Sequence, residues 1–132
     1  MSNAQVGLTV AHRRYVSYAH AHYAGNLVDG AWGLGLFGDV ATELCIRTDG
    51  DEGLFASYSD VQFRAPVRAG DVVEASATLV RLGRRSREIE FVLLVVARGG
   101  GENETSVESA SATRILAEPI LATTAVGTVV VP

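Results

Sequence analysis

The sequence has few cysteines and few positive charges, and it lacks any long apolar run. Among 132 residues there is one cysteine, and the formal net charge is −4. A single cysteine excludes an internal disulfide and fits a reducing compartment, while the negative balance argues against a broad nucleic-acid-binding surface. No apolar stretch approaches the roughly 18 residues that span a bilayer, and no basic-then-apolar leader is recognisable. We therefore expect a cytoplasmic protein that binds neither nucleic acid nor membrane.

The composition that is present indicates one globular domain. Hydrophobic residues make up 48% and charged residues 20% of the chain, and both shares are ordinary for globular proteins. A chain of this length buries roughly 70% of its unfolded surface when it folds as one unit. We expect a single domain over residues 1–132, with no internal repeat.

A long helix is predicted from Leu27 to Arg47, where small and apolar residues recur at intervals of three and four. Its four glycines disfavour an isolated helix, so packing inside a curved sheet has to stabilise it. The run Thr48-Asp49-Gly50 then provides a stop signal.

Residues typical of β-strands are concentrated once before this helix and four times after it. The predicted strands are Gly7–Ser17, Leu54–Ala65, Asp71–Leu82, Arg87–Arg98 and Ile120–Val131. Segment 107–118 is rich in serine and alanine, which favours a short helix or an irregular crossing over a strand. The order predicts an α+β fold, with one long central helix wrapped by a five-stranded antiparallel sheet. Such a sheet leaves two edges exposed, so we expect at least a dimer.

Three carboxylates share one predicted face of the helix with two large apolar side chains. Asp29, Trp32, Leu36, Asp39 and Glu43 follow one another at spacings of three and four. If this face is enclosed, either Asp39 or Glu43 should hold its proton more tightly, as a general base requires. The alternatives are a solvated helix face and, for Asp29, a residue that caps the helix start.

The segment before the helix is suited to an oxyanion. His22, Tyr23 and Asn26 adjoin the predicted helix start, where the first N–H groups have no partner within the helix. Backbone donors near Gly30 and Ala31 could hold a thioester carbonyl and stabilise the enolate formed from it.

The remaining polar residues carry weaker signals. Arg84, Arg85 and Arg87 lie close together in a turn region, where they could meet phosphates or form an ordinary solvated hairpin. Two nearby histidines, His20 and His22, are too few for a metal site, and we expect none. Cys45 lies in the apolar helical pattern, so we interpret it as a buried small residue rather than a nucleophile.

Two long blocks of the sequence carry a family resemblance. They are His22–Ala31, with the sequence HYAGNLVDGA, and Leu36–Leu44, with the sequence LFGDVATEL. Both resemble the 3-aminobutyryl-CoA and β-alanyl-CoA ammonia-lyases, which have the hotdog fold. The resemblance continues through Phe63–Val67 and Ser86–Arg87 to the C-terminal residues, and so covers nearly the whole chain.

The resemblance implies reversible loss of ammonia from a 3-aminoacyl-CoA, which yields a 2-enoyl-CoA. From the exposed sheet edges we expect a homodimer, which a trimer of dimers would extend. We expect no cofactor beyond the coenzyme A of the substrate, because a thioester held by backbone donors itself stabilises the carbanion. Together with the residue patterns, the resemblance leads to a set of site hypotheses. The catalytic candidates are Asp39 or Glu43 as the base and Asp29 as the ammonium partner; the substrate-binding candidates are His22, Tyr23, Asn26, Gly30 and Ala31; the CoA-binding candidates are Arg84, Arg85 and Arg87.

Two other functions are compatible with the sequence. Phe63–Val67 followed by Gly70-Asp71 also resembles hotdog thioesterases, so an acyl-CoA thioesterase is one alternative, and a non-catalytic acyl-CoA-binding subunit is the other. In thioesterases with a carboxylate on this helix, the acid would fall near Phe37. The sequence departs from that pattern, and this argues against hydrolysis.

Overall fold

The structure, a computed structural model, describes residues 5–99 and 111–132. Within these ranges it contains one α-helix, α1 (Gly30–Asp49), and eight strands. The strands are β1 (Thr9–Tyr15), β2 (Ala21–Tyr23), β3 (Leu27–Val28), β4 (Leu54–Phe63), β5 (Val67–Arg68), β6 (Val72–Leu82), β7 (Ser86–Gly99) and β8 (Thr113–Val130). Among the described residues, no helix combines the length and apolar character that a membrane crossing needs.

Five of the strands form the main sheet, in the order β1-β6-β7-β8-β4, and every neighbouring pair is antiparallel. Helix α1 packs across one face of this sheet, with Phe37 stacked on Phe91 of β7 at a ring-centroid distance of 4.9 Å. Along β6 the inward-facing residues alternate with outward-facing ones, as expected for a sheet with one covered face. The predicted helix and five-stranded antiparallel sheet are confirmed.

The helix starts three residues later than the sequence predicts. Leu27 and Val28 form β3, which pairs with β2 and with β5 in a second, three-stranded sheet. Gly25 and Asn26 turn the chain into β3 with backbone φ angles of 76° and 61°, values that glycine and asparagine tolerate best. Pairing of Val28 with Val67 therefore overrides the helical pattern at the start of the segment.

The prediction for segment 107–118 is wrong where the structure describes it. Thr113–Val130 is one continuous strand, and its first residues pair with the end of β7, Arg114 with Arg98 and Ile115 with Ala97. Pairing to an existing strand outweighs the weak local preferences of serine and alanine. Residues 107–110, the first part of this segment, lie outside the described ranges.

The carboxyl-terminal end of α1 is attached to the sheet by a buried ion pair. Arg87 donates from Nη2 to Asp49 Oδ1 at 2.7 Å and from Nε to Asp49 Oδ2 at 2.9 Å. The two side chains are only 8% and 9% exposed. Gly50 ends the helix in the left-handed conformation and donates its N–H to Ile46 O, so the predicted stop signal is confirmed.

This ion pair generates a stability prediction. Asp49→Ala leaves the Arg87 guanidinium buried without its carboxylate, so the free energy of unfolding should fall by about 3–5 kcal/mol. The matched control is Glu74→Ala, which removes a more exposed pair with Arg13 and should change it by no more than about 1 kcal/mol. Urea denaturation at one protein concentration measures both. A loss below about 1 kcal/mol for Asp49→Ala would contradict the structural role of the pair.

Candidate active site

A cleft opens at the amino-terminal end of α1, between the helix and the end of β4. Its volume is about 550 Å³, which is within the usual range for small-molecule sites. The lining is mainly apolar, with a few polar groups. It consists of Tyr23, Val28, Asp29, Gly30, Ala31, Trp32, Gly33, Phe63, Arg64, Ala65, Pro66, Val67, Leu93 and Thr123.

Two glycines let the start of the helix approach the sheet closely. A side chain on Gly30 would overlap the Phe63 ring, and a Cβ on Gly33 would lie 3.0 Å from Leu93 Cδ2. Both contacts are with side chains that line the cleft. The glycines that disfavour an isolated helix therefore make room for the cleft walls, in agreement with the prediction that packing stabilises α1.

The outer wall of the cleft is held by a second buried ion pair. Arg98 Nη2 donates to Asp71 Oδ2 at 2.9 Å and to the carbonyl oxygen of Pro66 at 3.0 Å. Asp71, which is 1% exposed, also accepts a hydrogen bond from the Arg68 N–H at 2.8 Å. These contacts fix the backbone of the segment around Pro66 and Val67, which lines the cleft.

Asp29 lies at the cleft, immediately before the helix begins. Its backbone has extended φ and ψ angles of −71° and 153°, as an N-cap residue does, but its side chain makes no capping hydrogen bond. The capping interpretation considered from the sequence is therefore wrong for the carboxylate. This group lines the cleft instead, where an anion at a helix amino end is electrostatically favoured.

Of the other predicted substrate-binding residues, Tyr23, Gly30 and Ala31 line the cleft, whereas His22 and Asn26 do not. His22 packs edge-on against Tyr23 with ring centroids 4.6 Å apart, so it supports the tyrosine ring. The backbone carbonyl of Asn26 accepts a hydrogen bond from Ala69 N at 2.9 Å. Asn26 thereby helps to shape the turn that precedes the helix.

Asp39 and Glu43 lie further along α1, outside the cleft. They follow Asp29 by 10 and 14 residues, which corresponds to about 15 and 21 Å of helix rise. Within one chain, the structure does not bring the three carboxylates to a single site. Asp39 is exposed, and Glu43 is partly exposed.

Glu43 is held by two basic side chains. Its Oε1 lies 2.9 Å from His12 Nε2 on β1, and its Oε2 accepts from Arg47 Nε at 2.9 Å. The hydrogen bond with His12 is the main cause that lowers the pKa of Glu43, and Arg47 adds to it against the opposing effect of desolvation. The sequence led us to expect a carboxyl on this face that holds its proton more tightly, and for Glu43 the direction is the opposite.

The three arginines proposed for coenzyme A lie at the other end of the helix. Arg84 and Arg85 are exposed in the turn between β6 and β7. Arg87 is 7% exposed, and four hydrogen bonds to Asp49, Gly83 and Ser86 engage its guanidinium. Arg87 is thus placed as a structural residue.

Several cleft residues received no role from the sequence, and Phe63, Arg64 and Thr123 are among them. Phe63 and Arg64 belong to the segment Phe63–Val67, which contributes to the family resemblance, but nothing in that segment indicates that they line a cleft. Thr123 lies in a predicted strand, and its neighbours across the sheet are known only from the pairing of the strands in the structure. Arg64 is exposed, and it is the one arginine among the residues that line the cleft.

Cys45 is buried, and His20 packs against an aromatic ring. Desolvation raises the pKa of the buried Cys45 thiol to about 11, so the nucleophilic thiolate is scarce near neutrality. Among residues 5–99 and 111–132, no group of three or more potential ligands is arranged to hold a metal ion. His20 contacts Trp32 with ring centroids 5.6 Å apart.

Comparison with known proteins places this architecture in a family. The sequence profile described as Thioesterase superfamily matches residues 27–95. The 3-aminobutyryl-CoA ammonia lyase of Acetoanaerobium sticklandii is 48% identical over 114 residues, which cover 85% of each chain. The chain belongs to the thioesterase superfamily and, within it, to the family of this ammonia lyase.

Solved structures agree with this family assignment. The β-alanyl-CoA:ammonia lyase from Clostridium propionicum superimposes with a TM-score of 0.86 at 35% identity, covering 96% of this chain and 87% of that one. A hexameric hotdog fold thioesterase of Campylobacter jejuni shares the fold with a TM-score of 0.72 at 21% identity, covering 92% and 80% of the two chains. The hotdog fold predicted from the resemblance is confirmed.

The contacts of Glu43 with His12 and Arg47 predict that this residue contributes to the free energy of unfolding in a pH-dependent way. Because the folded-state pKa of Glu43 is lowered, its charge stabilises the fold above the unfolded pKa of about 4.3 and loses this effect as the pH falls through the lower folded value. Glu43→Gln should therefore be less stable than the wild type at pH 6, and the difference should vanish in more acidic solution.

The measurement is urea denaturation from pH 3 to pH 7, with Glu90→Gln as the control at an exposed glutamate of β7. The control variant should follow the wild-type curve. An equal deficit of Glu43→Gln at both ends of the pH range would contradict the assignment.

Proposed function

We propose that this chain catalyses the reversible elimination of ammonia from a short 3-aminoacyl-CoA, 3-aminobutyryl-CoA or β-alanyl-CoA, to give a 2-enoyl-CoA. The observation that carries the proposal is the 48% identity, over 85% of the chain, to a 3-aminobutyryl-CoA ammonia lyase. The cleft supports it chemically, since a mainly apolar pocket is lined by the Asp29 carboxylate, which makes no capping hydrogen bond at the helix amino end.

Two groups at the mouth of the cleft match the two ends of the reacting unit. The Asp29 carboxylate attracts the β-ammonium group of the substrate. The first N–H groups of α1, around Gly30 and Ala31, have no acceptor within the helix and can donate to the thioester oxygen. When the α-proton leaves, negative charge moves onto that oxygen, and these donors stabilise it.

The elimination requires a base for the α-proton. The base takes the proton, the C–H electron pair forms the enolate, and the enolate then expels the β-nitrogen as ammonia to leave a carbon–carbon double bond. Asp39 and Glu43 are too far from the cleft of their own chain, so we propose that a second subunit, with its helix antiparallel to the first, supplies one of them. Asp39 is the better candidate, because Glu43 is engaged by His12 and Arg47.

This arrangement makes a homodimer the smallest active unit. The edge strands β1 and β4 of the main sheet each have a neighbour on one side only within the described chain, and pairing of subunits would cover such edges. A trimer of dimers would extend the same principle. The reaction needs no metal and no cofactor beyond the coenzyme A of the substrate, because the thioester itself stabilises the enolate.

Hydrolysis of the thioester is the second candidate, since the chain belongs to the thioesterase superfamily. A thioesterase directs water to the carbonyl carbon and releases the coenzyme A thiol, whereas a lyase leaves the thioester intact. A silent acyl-CoA-binding subunit would do neither.

One assay separates these functions and tests the carboxylates. Crotonyl-CoA and ammonium are mixed with the protein, the enoyl-thioester absorbance is followed, and free thiol is measured in parallel. We expect ammonium-dependent loss of the enoyl band without thiol release.

Asp29→Asn and Asp39→Asn should each lower kcat/KM by roughly 100-fold or more. Asp60→Asn, at an exposed position of β4 outside the cleft lining, should be unchanged. Thiol release would instead support the thioesterase, and a wild-type rate in Asp29→Asn or Asp39→Asn would contradict the role of that carboxylate.

The coenzyme A contacts can be assigned by comparing arginine variants. Arg64 lines the cleft of its own chain, so Arg64→Gln should raise KM for the CoA thioester roughly two- to fivefold, with a smaller effect at high salt. The double variant Arg84→Gln/Arg85→Gln should raise KM only if a second subunit places this turn near the cleft. Arg14→Gln, on β1, is the control. An unchanged KM in Arg64→Gln would exclude Arg64 as a phosphate contact.

A further inference from the structure

We infer that Thr123 determines the specificity of the cleft by accepting a hydrogen bond from the β-amino group of the acyl chain. The inference deepens the proposed function and rests on it for the identity of the substrate. Its structural basis is the position of the Thr123 hydroxyl between apolar side chains of the cleft.

Strand pairing places Thr123 in the middle of a row of three side chains. On β8 it lies opposite Leu93 of β7 on one side and opposite Phe63 of β4 on the other. Directly opposed residues in antiparallel strands point to the same face of the sheet. All three side chains line the cleft, so the row forms its floor.

The helix covers the two flanks of this row at its glycines. Gly30 lies over Phe63 and Gly33 lies over Leu93. The flanking side chains are apolar, so the Thr123 hydroxyl is a polar group between two apolar walls. An acyl chain that enters between the helix and the sheet must pass above this hydroxyl.

The Thr123 side chain is nearly covered by protein and reaches the cleft. Thr123 is 4% exposed and lines the cleft, and its hydroxyl is not one of the fully buried atoms without a hydrogen-bond partner, for which residues 5–99 and 111–132 give His12 Nδ1. A hydroxyl that reaches the cleft can exchange hydrogen bonds with whatever fills it, whereas valine would fill the same shape without this capacity. We therefore expect the Thr123 hydroxyl to form a hydrogen bond with an atom of a ligand in the cleft.

The chemistry of a 3-aminoacyl thioester identifies that ligand atom. Its two polar groups near the cleft are the thioester carbonyl and the β-ammonium. The carbonyl is an acceptor and is suited to the helix N–H groups near Gly30 and Ala31. The ammonium is two carbons further into the pocket and has three donors, of which Asp29 can accept at the mouth and Thr123 at the floor.

Three variants and a pair of unreactive ligands test the inference. Thr123→Val removes the hydroxyl at constant shape, and Thr123→Ser retains it. Thr124→Val changes the adjacent residue, which lies on the opposite face of β8 and outside the cleft. The ligands are S-(3-aminobutyl)-CoA and S-(3-methylbutyl)-CoA, thioethers that have no carbonyl and so can neither eliminate nor hydrolyse.

Calorimetric titration gives the ratio of the two dissociation constants for each protein. We expect the wild type to prefer the amino ligand and Thr123→Val to lower this preference roughly tenfold. Thr123→Ser and Thr124→Val should retain most of it. In the ammonia-addition assay, Thr123→Val should raise KM for ammonium by a similar factor while KM for crotonyl-CoA changes less than about twofold.

The two ligands also separate failure of this inference from failure of the proposed function. If the wild type shows no ammonium-dependent loss of crotonyl-CoA, the proposed function fails, while the ratio of dissociation constants still decides the role of Thr123. A wild type without preference for the amino ligand would overturn the inference. An unchanged preference for the amino ligand in Thr123→Val would also overturn it, provided that the melting temperature shows that the variant is folded.

Discussion

The close approach of α1 to the main sheet is the constraint on which the cleft depends. Gly30 and Gly33 leave the space that Phe63 and Leu93 occupy, and Phe37 continues the contact deeper in the core by stacking on β7. A helix with side chains at both glycine positions would have to move away from the sheet or displace the walls of the pocket. The same residues therefore weaken the isolated helix and make room for the cleft beside it.

Two buried ion pairs keep this geometry in place from opposite sides. Asp49 and Arg87 attach the carboxyl-terminal end of α1 to β7, while Asp71 and Arg98 hold the backbone of the wall around Pro66. Buried pairs of this kind contribute little net stability compared with apolar residues, but losing one partner is costly. Their effect here is positional, since each joins a strand of the sheet to the helix end or to a cleft segment.

The carboxylates of α1 divide into those that the fold engages and those that it leaves available. Glu43 is bound by His12 and Arg47 and has a lowered pKa, which makes it a weaker base. Asp29 makes no capping hydrogen bond and lines the cleft. This position is why the proposed reaction assigns Asp29, rather than Glu43, to the substrate ammonium.

The sequence by itself determined the order of helix and strands and the helix stop at Gly50, because these depend on residues within a few positions of each other. Tertiary structure decided that β8 extends back to Thr113 and that Thr123 meets Phe63 and Leu93. Those partners are 60 and 30 residues away along the chain, and only strand pairing brings such distant residues together. Local propensity contains no information about register between strands, which is why the floor of the cleft could not be predicted.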